Sequence, residues 1–443
     1  MSPEQMKQAV CAAIDEKRDE IIEIGRTIFQ NPELGFKEWK TSSLVEDVFT
    51  KLGLSFVKGL AITGVKARLK GAKPGPSVAV LGELDAVVCP GHPFADPETG
   101  AAHSCGHNAQ IASMLGAAMG LILSGVGEKL DGDAVFFAVP AEEFVEIEYR
   151  EALREKGLIS FLGGKQELIA SGHFDDVDMA MMVHAQSNSP EAAAYFSPSS
   201  SAFIGKSVVF SGKEAHAGGA PFLGINALNA ATAALMLIHA QRETFKDEDG
   251  IRVHPIITKG GDLVNIVPAD VRMETYVRGS TMDAVIDANR KVNRAIKGAA
   301  YAIGADVDIR ESPGYLPLSQ STAMEELYVQ NIAGFVGPKN IIRRFDMGGS
   351  TDMGDISAIM PAIHPSMGGV SGSAHSKEYT IANEEALYIY PAKTMAMTVV
   401  DLLSGGAERA KAICESFSPA FSRSGYVQFW QDVIKGERDG ALV

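Results

Sequence analysis

The stretch Ser77-Val78-Ala79-Val80-Leu81, followed by Gly82-Glu83-Leu84-Asp85, indicates the fold class of this chain. It is a short apolar run that ends in carboxylates, and later runs at residues 134–139 and 179–183 are similarly apolar. A segment with apolar residues at helical spacing, residues 111–119, separates the first run from the second. Strands alternating with amphipathic helices predict an α/β fold in which a mixed sheet with parallel pairs is flanked by helices.

A different order of elements begins near residue 201 and predicts a second, inserted domain. The order is strand, helix, two strands, helix, strand, which is the βαββαβ order of a ferredoxin-like split βαβ domain. The predicted elements are residues 206–211, 226–244, 252–258, 270–277, 282–303 and 306–311. We therefore expect an insertion at 201–312 within a discontinuous main domain of 1–200 and 313–443, whose first helix covers 3–30.

Composition limits the classes of partner and the cellular compartment. The chain has 443 residues, long for a single core, and a formal net charge of −15. This acidity makes nucleic acid or an anionic membrane a poor partner, whereas a small anionic substrate needs only a local Arg or Lys. The sequence shows no signal-peptide core and no apolar run of membrane-spanning length. We expect a cytoplasmic protein, because the cysteines are scattered, at Cys11, Cys89, Cys105 and Cys414.

The run His103-Ser104-Cys105-Gly106-His107-Asn108 offers a thiol and an imidazole two residues apart. At a turn between a strand and a helix, side chains at i and i+2 can converge on one point. Thiolate with imidazole suits Zn, and imidazole with carboxylate suits Zn, Mn or Fe. Taken alone, however, Cys105 and His107 are more often a buried cysteine and a helix-capping histidine.

Three further residues have side chains suited to a metal site. Asp85 ends the first apolar run and could orient a metal-bound histidine, although a turn aspartate is equally common there. His184 directly follows the run at 179–183, at the end of a strand where open α/β sheets place ligands. His375 lies in a loop of small residues, 371–376. Each histidine alone is explained at least as well by a structural role.

Glu142 and Glu143 follow the apolar run at 134–139 and the intervening Pro140. Adjacent side chains at a strand end diverge, so one carboxylate can bind a metal while the other takes a proton from water. A solvated pair that opens a helix is the alternative for this motif alone. Because three strands deliver such residues at the same chain-direction end, and parallel strands end at one edge, we predict a metal site there.

Eight short motifs together resemble the M20 metallopeptidase and amidohydrolase family, in its Cys-Gly-His branch. Within that branch the chain is most similar to aminobenzoyl-glutamate hydrolases and related dipeptidase-like proteins, because of Asn108 and residues 350–355. The matching motifs are residues 31–36, 103–108, 140–143, 184–185, 215–217, 265–268, 349–352 and 375–376.

The resemblance implies a zinc-peptidase-like sheet, an inserted dimerisation (lid) domain and two divalent ions, Zn or Mn. Cys105 would bridge the two ions. Glu142 would serve as general base and then as general acid. The implied metal ligands are Cys105, His107, Glu143, His184 and His375.

Three residues of the inserted domain receive roles from the same resemblance. His216 would reach into the active site of the other subunit of a homodimer, or of a higher homo-oligomer, and stabilise the oxyanion. Its alternative is a residue in a surface turn. Asn265 and Arg278 would hold the carbonyl or carboxylate of the substrate, although Arg272 competes with Arg278 for this role.

The sequence departs from the family after Glu143, where a longer, charged segment at 144–164 replaces a glycine-rich stretch. It would line the substrate pocket, act as a lid, or form a solvated helical insertion. The function we predict is hydrolysis of the amide C–N bond of a small-molecule substrate, an N-acyl or N-aroyl amino acid or an unusual dipeptide. The alternatives are hydrolytic deamination of a small aromatic or similar amine, and a non-catalytic binding protein on a hydrolase fold.

Overall fold

A computed structural model describes residues 1–197, 199–343 and 348–438 of the chain. These residues form two compact units. The first consists of the described residues of Met1–Pro198, Ser319–Met347 and Asp355–Ser424. The second consists of those of Ser199–Leu318, Gly348–Gly354 and Gly425–Val443.

Helices and strands alternate along much of the described chain. The α-helices are α1 (Pro3–Glu16), α2 (Arg18–Gln30), α3 (Trp39–Lys51), α4 (His107–Leu123), α5 (Ile147–Glu155), α6 (Gly164–Ala170), α7 (Ala227–Ala240), α8 (Met282–Ile303), α9 (Thr322–Val336), α10 (Met353–Ile359), α11 (Tyr390–Leu403), α12 (Glu408–Ser416) and α13 (Arg423–Arg438). The strands are β1 (Phe56–Leu60), β2 (Gly64–Leu69), β3 (Lys73–Glu83), β4 (Val87–Val88), β5 (Ala101–Ala102), β6 (Asp131–Val139), β7 (Met179–Met181), β8 (His184–Ala185), β9 (Ala194–Phe196), β10 (Ala202–Ser211), β11 (Arg252–Val253), β12 (Ile256–Lys259), β13 (Asp270–Gly279), β14 (Asp306–Pro313), β15 (Ile341–Arg343), β16 (Ala362–Ile363), β17 (Ser366–Met367), β18 (Val370–Ser371) and β19 (Thr380–Ile381).

The main sheet of the first unit has the strand order β1-β2-β6-β3-β7-β16. Strands β6, β3, β7 and β16 run parallel, whereas β1 and β2 are antiparallel additions at one edge, so the sheet is mixed as predicted. The central strands are almost wholly buried because helices cover the sheet, as continuous apolar runs require. Helix α4 is apolar on all sides and lies in this core, with its first fifteen residues buried.

The parallel register places the carboxyl ends of three strands side by side. Val80 of β3 pairs with Phe136 of β6 on one side and with Met181 of β7 on the other. The chain segments that leave these strands, residues 84–86, 140–143 and 182–184, therefore emerge at the same edge of the sheet. This edge is where the sequence predicts the metal site.

The second unit contains an antiparallel sheet with the order β11-β13-β10-β14, and β12 also pairs with β13. Helices α7 and α8 share an apolar core with this sheet. Buried and half-exposed residues alternate along β13, as expected for a sheet with helices on one face. The predicted βαββαβ order of elements is confirmed, with the strand order of a split βαβ domain.

The predicted single helix at 3–30 is wrong in one respect, because the structure breaks it into α1 and α2. Lys17 separates the two helices with φ −101° and ψ 6°, outside regular helical geometry. The break falls in a run of charged residues, 15–20, so the apolar periodicity on either side carries no sign of it. Among the described residues, none of the helices is both long enough and apolar enough to cross a membrane.

Candidate metal centre

The turn between β5 and α4 presents Cys105 and His107 to the sheet edge. Gly106 between them has φ +94° and forms the N-cap of α4, a left-handed conformation that glycine adopts without strain. The turn also packs closely, because a methyl carbon at Gly106 would lie 2.6 Å from Tyr379 Oη and closer still to Ala185 Cβ. Cys105 Sγ lies 3.5 Å from Nε2 of His184, the first residue of β8.

Asp85 fixes the orientation of His107. The Nδ1 atom of His107 lies 2.9 Å from the Asp85 carbonyl oxygen and 3.3 Å from Asp85 Oδ1. The opposite ring nitrogen, Nε2, therefore remains available, at 3.0 Å from Glu83 Oε2 and 3.8 Å from Glu142 Oε2. Asp85 Oδ2 also accepts a hydrogen bond of 2.9 Å from the backbone N–H of Glu143. Asp85 thus contacts two chain segments, with its backbone carbonyl oxygen at His107 and its buried carboxylate at Glu143, as expected of a residue that supports metal ligands.

Glu143 and His375 form the other half of the cluster. His375 Nε2 lies 3.0 Å from Glu143 Oε1. The backbone of His375 is left-handed, with φ +57°, and its N–H donates to the Ser104 carbonyl oxygen at 2.8 Å. This contact attaches the loop that carries His375 to the residue that precedes Cys105.

Three donor groups in this cluster have the spacing needed to hold a metal ion. Each group has ligand atoms within 4.8 Å of one another, and two of the groups share Cys105. The groups are Cys105, His107 and His184; Cys105, Glu143 and His375; and Glu83, His107 and Glu142. A thiolate shared by two donor sets is the arrangement that a bridging ligand requires.

The chemistry of the donor atoms fits divalent cations. His107 Nε2 and Glu143 Oε1 are buried, and neither forms a hydrogen bond with the described residues. Burial and the charge of Glu143 raise the pKa of Cys105, but His184 and His107 outweigh them and lower it to about 6. A thiolate at neutral pH, beside imidazoles and a carboxylate, is the donor set that Zn or a similar ion prefers.

The loop that carries Glu142 and Glu143 is held in a strained conformation. Ala141 has φ +53°, a region that costs a non-glycine residue about 1–2 kcal/mol. Buried Glu38 accepts a hydrogen bond of 2.8 Å from the N–H of Ala141, and also one of 2.6 Å from the Thr63 hydroxyl. Such strain persists only where surrounding contacts enforce it, and it is often found at functional sites.

A buried polar layer lies beside His107 and was not predicted from the sequence. Glu83 lies at the end of β3. Its Oε1 forms an ion pair of 2.5 Å with Lys165 Nζ, and its Oε2 accepts a hydrogen bond of 2.7 Å from Gln110 Nε2. The His364 side chain is also buried, neither of its ring nitrogens forms a hydrogen bond with the described residues, and its ring centroid lies 5.6 Å from that of His184. The sequence does contain a pattern that predicts Glu83 at this site. Glu83 and Asp85 are two residues apart at a strand end, and residues at this spacing face the same side of a strand.

The structure brings all seven predicted residues of the first unit into one cluster. The second unit brings two of its three predicted residues together: the backbone of Ala217, next to His216, donates to the Asn265 carbonyl oxygen at 2.9 Å. His216 Nδ1 accepts hydrogen bonds from Gly218 and Gly219, so the neutral ring carries its proton on an exposed Nε2.

Arg278 is not part of that group. It lies near the far end of β13, eight residues from the first residue Asp270, or about 26 Å along an extended strand. Its guanidinium lies 5.5 Å from the ring of Phe203 and 5.4 Å from that of Tyr276. The competing Arg272 pairs with Asp270 at 3.3 Å.

Comparison with known sequences gives a consistent result. The sequence model described as peptidase family M20/M25/M40 matches residues 79–397. An Xaa-Arg dipeptidase from Mus musculus is 28% identical over 425 residues, covering 90% of this chain and 89% of the relative. An N-acyl-L-amino acid amidohydrolase from Geobacillus stearothermophilus is 27% identical over 324 residues, covering 70% of this chain and 81% of the relative.

Solved structures share the fold over most of the chain. A dinuclear metal binding peptidase of family M20 from Bacillus subtilis has a TM-score of 0.64 and 22% identity, covering 88% of this chain and 99% of its own. An aminobenzoyl-glutamate utilization protein from Klebsiella pneumoniae has a TM-score of 0.66 and 21% identity, covering 89% and 98%. At this level of identity, the comparison establishes the architecture.

Proposed function

Because this chain belongs to peptidase family M20/M25/M40 and is a metal-dependent amidohydrolase or peptidase, we propose that it hydrolyses the amide bond of an N-acylated amino acid or a dipeptide. The observation that carries the proposal is the position of Glu142. Its Oε2 lies 3.8 Å from His107 Nε2, yet Glu142 belongs to neither of the donor groups that share Cys105. A buried carboxylate beside the ligands, but outside those two sets, is placed to handle protons.

The cofactor we propose is a pair of divalent ions, Zn or Mn. His107 and His184 would hold one ion, Glu143 and His375 would hold the other, and Cys105 would contact both. When bound, such ions polarise a carbonyl and lower the pKa of water towards about 7.

The residues of the chain then carry the proton transfers. Glu142 takes a proton from the attacking water and returns it to the amine nitrogen as the C–N bond breaks. Asp85 keeps the Nδ1 side of His107 engaged, so that Nε2 stays directed into the centre. We propose that the partner subunit's His216 donates from Nε2 to the oxyanion and that Asn265 and Arg278 help to bind the substrate.

Two relatives at 27–28% identity, one a dipeptidase and the other an N-acyl-amino acid amidohydrolase, support this proposed substrate class. A mixed panel of N-acyl and N-aroyl amino acids, Xaa-Arg dipeptides and aryl amines, followed by mass spectrometry, tests it. We expect an acid and an amino acid as products, and no turnover after a chelator removes the metal. Release of free ammonia would instead identify a deaminase. No turnover of any compound in the panel by the metal-loaded protein would contradict the proposal.

A homodimer formed through the inserted domain is the assembly we propose. This unit exposes large apolar side chains beside the His216 loop and on α7, including Val264, which is fully exposed, and Met236, which is 69% exposed. A partner subunit that covers these side chains would remove apolar surface from water, which favours association. Light scattering should give a dimer mass for the wild type and a smaller mass for Met236→Glu. A monomeric wild type at micromolar concentration would contradict it.

In this proposal the catalytic domain comprises residues 1–200 and 313–443, and the lid domain comprises 201–312. The four cysteines are free thiols, which fits a reducing compartment, and we propose the cytoplasm.

A further inference from the structure

The charged segment after Glu143, residues 144–164, contains a buried arginine. Arg150 lies on α5 and is 1% exposed. In the sequence it stands among charged neighbours that would be expected to face solvent. Within the described part of the chain, Arg150 has no carboxylate within ion-pair distance, although burying an unpaired charge is costly. A buried cation without an acidic partner must be compensated by other groups.

Those groups are three backbone carbonyl oxygens, one at Leu162 and two in the loop that carries Glu142 and Glu143. Nη1 of Arg150 donates to the carbonyl oxygens of Leu162, at 2.7 Å, and Ala141, at 3.4 Å. Nη2 donates to the carbonyl oxygen of Glu143. The guanidinium thus bridges the residues on either side of Glu142. A planar fork can engage two carbonyls at once, which a lysine ammonium on a flexible stem cannot do with the same geometry.

Neighbouring residues leave space for this contact. A methyl carbon at Gly35 would overlap Arg150 Nη2 and lie 2.9 Å from Ala141 Cα, so only glycine leaves room there. The ring of Phe36 lies 5.4 Å from the guanidinium carbon and covers it. On the opposite side of the same loop, Glu38 accepts from the N–H of Ala141. The left-handed backbone of Ala141 is therefore held from both sides, by Glu38 and by Arg150.

We propose that Arg150 is a positioning residue for the reaction: its guanidinium sets the backbone conformation of residues 141–143 and hence the aim of Glu142 and Glu143. One role of the charged segment at 144–164 is then to place this arginine against the loop. This inference rests on the proposed function, because it assigns Glu142 to proton transfer and Glu143 to metal binding. Loss of the guanidinium contacts would displace both carboxylates, and a displacement of about 1 Å at such a centre can reduce turnover by about 100-fold.

The test compares Arg150→Lys and Arg150→Ala with Arg154→Ala as matched control. Arg154 lies one turn further along α5, where it is partly exposed and pairs with Glu151. We expect kcat to fall by about 100-fold in both Arg150 variants, with KM within about threefold of the wild type, and no change for Arg154→Ala. Guanidinium ion at a non-denaturing millimolar concentration should raise the kcat of Arg150→Ala at least tenfold. A residue needed only for folding would lower the active fraction and would not respond to the added ion.

A second readout keeps this inference separable from the proposed function. Cobalt(II) loaded into each protein and challenged with a chelator reports the ion that Glu143 helps to hold, whether or not a substrate is known. We expect one cobalt ion to leave both Arg150 variants at a tenfold lower chelator concentration than it leaves the wild type. Wild-type kcat, or wild-type cobalt retention in folded Arg150→Lys, would overturn the inference. A wild type that retains cobalt but cleaves no amide would overturn the proposed function alone.

Discussion

Substitution of Gly106 by alanine tests the link between backbone geometry and metal binding most quantitatively. Gly106 has φ +94°, and the left-handed region costs an alanine about 1–2 kcal/mol. The added methyl carbon would also lie 2.6 Å from Tyr379 Oη, whereas ordinary contacts begin near 3.4 Å, so Tyr379 must move by about 0.8 Å and the nearer Ala185 Cβ by more. Overpacking of this kind adds about 1–3 kcal/mol, for a total loss of stability of about 2–5 kcal/mol.

Gly53→Ala is the matched control. Gly53 has φ +70°, but nothing lies within 4 Å of its built methyl carbon, so only the backbone term of about 1–2 kcal/mol should appear. Urea denaturation of the metal-free proteins measures both changes in the free energy of unfolding. Gly106→Ala should also lose metal at a chelator concentration at least tenfold lower, because the displaced turn carries Cys105 and His107. Equal stability of the two variants, with metal retention unchanged in Gly106→Ala, would refute this reasoning.

Two further substitutions test the residues around the ligands. Asp85→Asn should reduce metal affinity by about 10–100-fold, because it removes the negative charge that lies 3.3 Å from His107 Nδ1 and that accepts from the Glu143 N–H; unchanged affinity in a chelator competition would count against that role. Lys165→Met should destabilise the fold by about 3–5 kcal/mol, because it leaves the buried Glu83 carboxylate without its cation, as denaturant unfolding would show. Adding Glu83→Gln should recover part of that loss, and a further loss in the double variant would contradict the ion-pair explanation.

The main features of the fold could be predicted from the sequence because apolar runs carry their own signal. The runs that became β3, β6 and β7 are continuous and short, as strands buried on both faces must be. Parallel strands then place their carboxyl ends together, which is why residues as distant as Asp85 and His184 were expected at one site. The break at Lys17 was missed because it lies among charged residues without any apolar periodicity.

Other parts of the site depended on contacts between distant segments. Arg150 lies in a charged stretch that is typical of a solvated helix, and its burial depends on the gap at Gly35, more than a hundred residues away. Lys165 is similar, because this fully buried lysine on α6 pairs with Glu83, which is 82 residues away along the chain. Periodicity describes which residues share a face, but it does not identify the distant group that each side chain meets.

The most direct test of the central claim is the turnover of metal-loaded Glu142→Gln on whichever amide the wild type cleaves. This variant should keep the fold and the metal content of the wild type, while kcat falls by about 10²–10⁴-fold, because the proton carrier is gone. Glu155→Gln, at the exposed end of α5, should behave like the wild type. Hydrolysis by Glu142→Gln at the wild-type rate, with metal bound, would contradict the assignment of Glu142 as the proton carrier.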